Sequence, residues 1–169
     1  MVLQTFTLAH VLISLVGIVS GGVVALGLLR ARRLDGCTAV FLATTVATSV
    51  TGFLFPFERF LPSHAVGIVS LLVLPVAYFA RYRRRLAGPW RPAYVVAAML
   101  ALYLNVFVLV VQAFQKVPAL KALAPTQSES PFAVTQVVVL VLFFILTAVA
   151  TIKFRTDEPR LDRLPLQVA

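Results

Sequence analysis

The sequence predicts an all-α integral membrane bundle of about five transmembrane helices, N-terminus outside and C-terminus inside. Three observations predict it. Of 169 residues, 60% are hydrophobic and only 12% are charged, with a mean hydropathy of +0.97; soluble domains carry about 25% charged residues. The few charges bound long uncharged runs. The basic residues fall overwhelmingly in alternate connections.

A chain this apolar has more hydrophobic surface than a water-soluble core of its length can bury, and its length suits one domain. No Asp, Glu, Lys or Arg occurs before Arg30, or within 36–57, 60–80, 92–115 and 130–152. Each run suffices for the ~20 helical residues that cross a ~30 Å hydrocarbon core. Lipid offers backbone groups no hydrogen-bond partner, which requires helices or a closed barrel. The short alternating segments of a barrel are not visible.

The elements follow in order. The first span is expected near 6–29; MVLQTFTLAH lacks a positive n-region and no small-residue cleavage site follows, so it reads as a retained helix. The second, near 38–56, joins the third, near 63–80, through FPFERFLPS, with Pro56 and Pro62 as breakers and Ser63 as N-cap. Pro75 predicts a kink inside the third. The fourth, near 93–115, starts at Pro92. KVPALKALAPTQSES is expected along the membrane surface. Ser130–Pro131 has the Ncap–N1 form for a fifth span near 131–152. The helical domain thus covers 1–154, with 155–169 a short cytoplasmic tail. No internal repeat is visible.

Orientation follows from charge. One set of connections holds Arg30, Arg32, Arg33, Arg81, Arg83, Arg84, Arg85, Arg91, Lys153, Arg155, Arg160 and Arg163. The other holds Arg59, Lys116 and Lys121. Positive residues stay inside. Aromatic belts agree: Phe53, Phe55, Phe57 and Phe60 at the outer edge, Tyr78, Tyr82, Trp90 and Tyr94 near the inner one. The net charge of +9 therefore reads as topology, and nucleic acid is not an expected partner. Cys37 is the lone cysteine, so no intramolecular disulfide forms; it reads as a small buried hydrophobe.

Small and polar residues mark the packing faces. Ser14, Gly17 and Gly21 form a stripe on the first helix, and Thr44, Thr45, Thr48, Thr51 and Gly52 lie on the second, with Thr48 and Gly52 on one face. Such residues let helices approach where hydrophobicity gives no contrast with lipid. Asn105 and Gln112, seven apart on the fourth helix, share a face; an amide near the bilayer centre must point at a partner.

No span contains Asp, Glu, Lys or Arg, which argues against proton relays and ion-coupled transport. No P-loop, HExxH, CxxC or GxSxG occurs, and no catalytic residue or metal site is expected. His10 and His64 each lie about seven residues outward of their helix midpoints, ~10 Å from the bilayer centre. Matched depth is what bis-imidazole ligation of haem b requires, and Gly17 and Gly67 would leave room for a flat macrocycle. A haem- or metal-binding redox protein using His10 and His64 is thus one alternative; interfacial histidines that bond water or headgroups are the simpler reading. A channel or carrier for a neutral solute, lined by Asn105, Gln112 and the threonines, is another.

LDGCTAVFLATTVATSVTGFLFPF, LPSHAVGIVSL and ALYLNVFVLVVQAFQKVPALKALAPTQSESPF resemble an uncharacterised family of small multi-helix bacterial inner-membrane proteins. The resemblance reaches about Phe154 and implies a multi-pass protein of the bacterial inner membrane; it implies no activity. The leading expectation is a non-enzymatic membrane component without a cofactor. Its partners are the lipid bilayer and, through helix packing, other membrane proteins or itself.

Overall fold

The computed structural model describes residues 2–55 and 62–154. Pro56, Phe57, Arg59, Phe60 and the tail 155–169 lie outside the described residues. The elements are α1 (Val2–Leu29), α2 (Asp35–Gly52), α3 (Pro62–Tyr78) continued by a π-helical turn (Phe79–Arg83), α4 (Trp90–Lys116), α5 (Pro118–Leu123) and α6 (Ser130–Lys153). Among the described residues there is no strand.

Local chemistry sets the helix ends. α1 stops where the N–H groups of Arg30, Ala31 and Arg32 close back on the carbonyls of Leu26, Gly27 and Leu28, with Ala31 left-handed (φ 54). Leu34 then folds onto Gly27, where a β-carbon would lie 2.7 Å from Leu34 Cδ1. This tight turn sends α2 back along α1. Asp35 opens α2 with a carboxylate at the positive end of the helix dipole. α2 ends at Gly52, four residues short of the expected limit at Pro56. Phe53 and Leu54 N–H groups bond to the Val50 and Thr51 carbonyls in a tightened last turn. Helical geometry is disfavoured just before a proline, so the chain leaves the helix early.

Two expected caps are displaced. α3 begins at Pro62, so Ser63 lies inside its first turn and is not the N-cap. α6 begins one residue earlier than expected: Glu129 stands at the N-cap position without a side-chain capping bond, and Ser130 and Pro131 are the first two residues of the helix. Pro75 sits within α3, where it cannot donate to the Leu71 carbonyl. α3 nevertheless continues into the π turn, which carries helical structure to Arg83. Arg84 N–H bonds to Phe79 O at 2.9 Å and Leu86 N–H to Ala80 O at 3.0 Å; Arg85 and Leu86 are left-handed (φ 51 and 62) and Leu86 is buried.

The five long helices form a ring of neighbours, α1–α2–α3–α4–α6 and back to α1, with α4 also touching α1 across the middle. Successive helices run antiparallel. At one end Arg81 pairs with Asp35 and Arg91 lies over Phe154. At the other His10 meets Thr51, and Phe114 meets Phe132. The core lies on α4, where Tyr94, Val95, Ala98, Met99 and Ala101 are almost wholly buried against Phe41 of α2 and Leu74 and Ala77 of α3. Residues 3–29, 63–83, 90–116 and 130–153 are helices long and apolar enough to cross a membrane, consistent with a multi-pass membrane protein. α2, with its threonines and Asp35, is not among the four.

Candidate functional site: a polar seam and a lateral groove

α2 carries a polar stripe that is exposed at Asp35, buried at Thr38 and Thr45 and half-buried at Thr48 and Thr51. Asp35, Thr38, Thr45, Thr48 and Thr51 recur at helical spacing, and each meets a different neighbour. The Asp35 carboxylate pairs with Arg81. Thr38 Oγ1 lies 3.4 Å from the Tyr94 hydroxyl, and both side chains are almost fully buried. Thr45 Oγ1 accepts from Asn105 Nδ2 at 3.1 Å. Ser14 reaches Thr48 at 3.4 Å while donating to its own helix at His10 O, 2.7 Å away. Thr51 donates to Ala47 O at 2.7 Å. Its single proton is thereby committed, so its oxygen accepts from His10 Nδ1–H at 2.8 Å.

The seam therefore gathers Ser14, Thr48, Asn105 and His10. Gly17 belongs to it sterically: a β-carbon there would lie 3.1 Å from Thr44 Oγ1. At Gly21 it would lie 2.7 Å from Leu102 Cδ1 and 2.8 Å from the Phe41 ring, so this glycine is where α1, α2 and α4 converge. The Ser14–Gly17–Gly21 stripe faces α2 and α4 of the same chain. Gly52 faces His10 more loosely, with Cε1 3.8 Å from its β-carbon position. Gln112 is exposed, while Asn105, two turns away, is half-buried.

The two histidines sit at the same end but in different surroundings. His10 packs edge-on against Phe55 as well as bonding Thr51. His64 is buried and stacks on Phe53, centroids 5.8 Å apart. α2 packs on both α1 and α3 and so stands between the helices that carry them. The room expected beside the two glycines is filled. Thr44 and Thr45 occupy it at Gly17, and the Phe53 ring lies 3.0 Å from the β-carbon position of Gly67. Among the described residues no three of His, Cys, Asp and Glu cluster closely enough to hold a metal ion.

Arg81 is the residue that sequence reasoning misplaced. The charge pattern puts it among the connection residues, yet its side chain is only 5% exposed while that of Asp35 is 84% exposed. Its guanidinium lies 5.2 Å from the Tyr94 ring centroid. Arg81 lies within the π turn and is buried there together with Ala80. One signal was available: Asp35 is the only acid before Glu58. Gln136 was also missed. Its Nε2 donates to Phe107 O at 3.3 Å, and its buried Oε1 has no hydrogen-bond partner among the described residues.

On the outer side of α2 a second feature opens. A groove of about 1210 Å³ separates α2 from α3 and is lined by Ala39, Ala43 and Val46 on one wall and Leu71, Pro75 and Phe79 on the other. Tyr78, Tyr82 and Trp90 stand at its arginine-rich mouth. Its lining is almost entirely apolar.

No family model, curated protein or solved structure matches this chain.

Proposed function

We propose that this chain is a five-span protein of the bacterial inner membrane, N-terminus outside, that works without catalysis by packing its apolar outer faces against lipid and other membrane proteins or a second copy. The observation that carries the reading is the division of chemistry between inside and outside. The polar groups of the seam are spent on one another. The outward faces are apolar, as on α6, where Val137, Val141, Phe144 and Ile145 are all exposed. A bundle so arranged offers lipid and neighbouring helices van der Waals surface.

The seam also supports counting α2 as the fifth span. Asp35 meets Arg81 at one end of the bundle and Thr51 meets His10 at the other, so α2 runs beside most of α1. Its threonines lower its hydropathy, yet their hydroxyl protons are bonded within the helix: Thr44 and Thr51 donate to the carbonyls of Val40 and Ala47. The basic bias supports the orientation. The bacterial inner membrane rests on the family resemblance.

Topology reporters test the reading. An outside-active reporter is expected to work after Met1 and near Gln127, and an inside-active one near Leu86 and after Ala169. Met1 and Ala169 scoring on the same side would mean an even span count and would overturn the five-span model.

A further inference from the structure

We propose that the groove between α2 and α3 holds an anionic phospholipid, its acyl chains against the apolar walls and its phosphate on Arg84, flanked by Arg83 and Arg85. The inference rests on the membrane reading above and names a partner for one of its outer faces.

Depth is the first argument. Along α3 and the π turn, the lining runs from Leu71 to Tyr82. The eleven residue-to-residue steps, at ~1.5 Å each, give ~16 Å. That is about half of a ~30 Å hydrocarbon core, the depth of one leaflet. The groove therefore has the reach of an acyl chain entering from the arginine-rich side. Its volume of about 1210 Å³ exceeds the ~300–1,000 Å³ of small-molecule pockets. Apart from Tyr78, Tyr82 and Trp90 at the arginine-rich end, every lining side chain is apolar, so the slot suits long aliphatic chains.

Charge is the second. The Arg84 guanidinium carbon lies 5.4 Å from the Phe79 ring centroid and 5.3 Å from that of Trp90. Both rings line the groove. Two aromatic faces thus hold a cation at its mouth. Arg83 and Arg85 are exposed beside it. The described carboxylates do not neutralise them: Asp35 is paired with the buried Arg81, and Glu129 lies at the opposite end of the bundle. A guanidinium recognises a phosphate by paired N–H donors. A basic mouth above an apolar slot one leaflet deep is complementary to a lipid whose headgroup is anionic.

Trp90 is the only tryptophan in the chain, so its fluorescence reports on the groove. The full chain is reconstituted in phosphatidylcholine vesicles containing a small fraction of chain-brominated phosphatidylglycerol or, separately, chain-brominated phosphatidylcholine. The brominated anionic lipid is expected to quench Trp90 at severalfold lower mole fraction. Arg84→Gln should reduce that preference about five-fold, the worth of one arginine at an anionic surface. Arg32→Gln, an exposed change at the same end but off the groove, should leave it intact. Ala43→Phe, which fills the slot, should weaken quenching by both lipids. Equal quenching by the two lipids in the wild-type chain overturns the proposal, and this reading needs no variant to fold. So does a preference that survives Arg84→Gln, or one abolished by millimolar inorganic phosphate, which would mean a free-anion site. Topology reporters score independently of quenching, so failure of the lipid site is distinguishable from failure of the membrane reading.

Discussion

Asn105 on α4 donates its amide to Thr45 Oγ1 on α2 at 3.1 Å, and Thr45 has no exposed surface. This bond joins two helices whose backbones are not closely packed, across the interior of the ring. Asn105→Leu should insert normally, since leucine partitions into lipid more readily than an amide. It should nevertheless lower stability, by about 0.6 kcal/mol on the average for such bonds inside membranes and by no more than about 1.7 kcal/mol. A double-mutant cycle with Thr45→Val, read by denaturation in mixed micelles, should show the two losses to be less than additive. Full additivity would mean that the bond contributes nothing.

The glycines of α1 should rank by the space each faces. Gly21→Leu drives a side chain into Leu102 and the Phe41 ring and should cost the most, about 1–3 kcal/mol for overpacking even after the neighbours shift. Gly17→Leu meets the Thr44 hydroxyl at slightly greater distance and should cost less. Nothing lies within 4 Å of the Gly22 β-carbon position. Gly22→Ala should therefore be neutral or stabilising by up to ~1 kcal/mol, the helix-propensity difference. Thermal melts of the three variants in one detergent check the order; Gly22→Ala melting below Gly17→Leu would refute it.

The Arg81–Asp35 pair should respond asymmetrically. Asp35→Ala leaves a buried guanidinium with only the Tyr94 face for compensation. The expected loss is near the lower end of the ~3–5 kcal/mol for breaking a buried pair, because Asp35 itself is exposed and screened. Asp35→Ala combined with Arg81→Met removes the stranded charge and should recover part of that loss. Unfolding midpoints of the single and double variants decide it, and a double variant less stable than Asp35→Ala would count against the pair.

Glu129 gives a pH prediction in the connection before α6. Desolvation pushes its pKa up, but hydrogen bonds outweigh this and hold it below the ordinary glutamate value. Its carboxylate accepts the Thr126 N–H (3.2 Å), the Thr126 hydroxyl (2.9 Å) and the Ser128 N–H (3.1 Å). A depressed folded-state pKa favours the ionised form. The stabilisation is therefore present above the unfolded value, about 4.3, and is lost as pH falls through the lower folded value. A carboxyl-carbon NMR titration should show the Glu129 midpoint below that of a model glutamate, and Thr126→Val should raise it. A midpoint indifferent to Thr126 would show the hydroxyl to be uninvolved.

The sequence by itself determined the number and rough limits of the long helices. The charge-free runs bounded by Arg30, Glu58, Arg59, Arg81, Arg91, Lys116 and Lys153 become five of them, because an apolar stretch of that length has few other ways to satisfy its backbone. It also picked out Ser14, Gly17, Gly21, Thr48, Gly52, Asn105 and Gln112 as residues that a helix carries for contact, without distinguishing the exposed Gln112 from the half-buried Asn105. Only the tertiary structure decided what they touch: that the glycine stripe faces α2 and α4, that Asn105 reaches Thr45, and that Arg81, in the π turn, is buried against Tyr94. The groove between α2 and α3 was illegible for the same reason. In a water-soluble protein apolar residues mark the inward face. In a chain that is apolar all round, Val95 in the core and Val46 on the groove wall look alike. Hydropathy then fixes where a helix runs but not which way it is turned, and that rotation is settled by side-chain packing between helices distant in sequence.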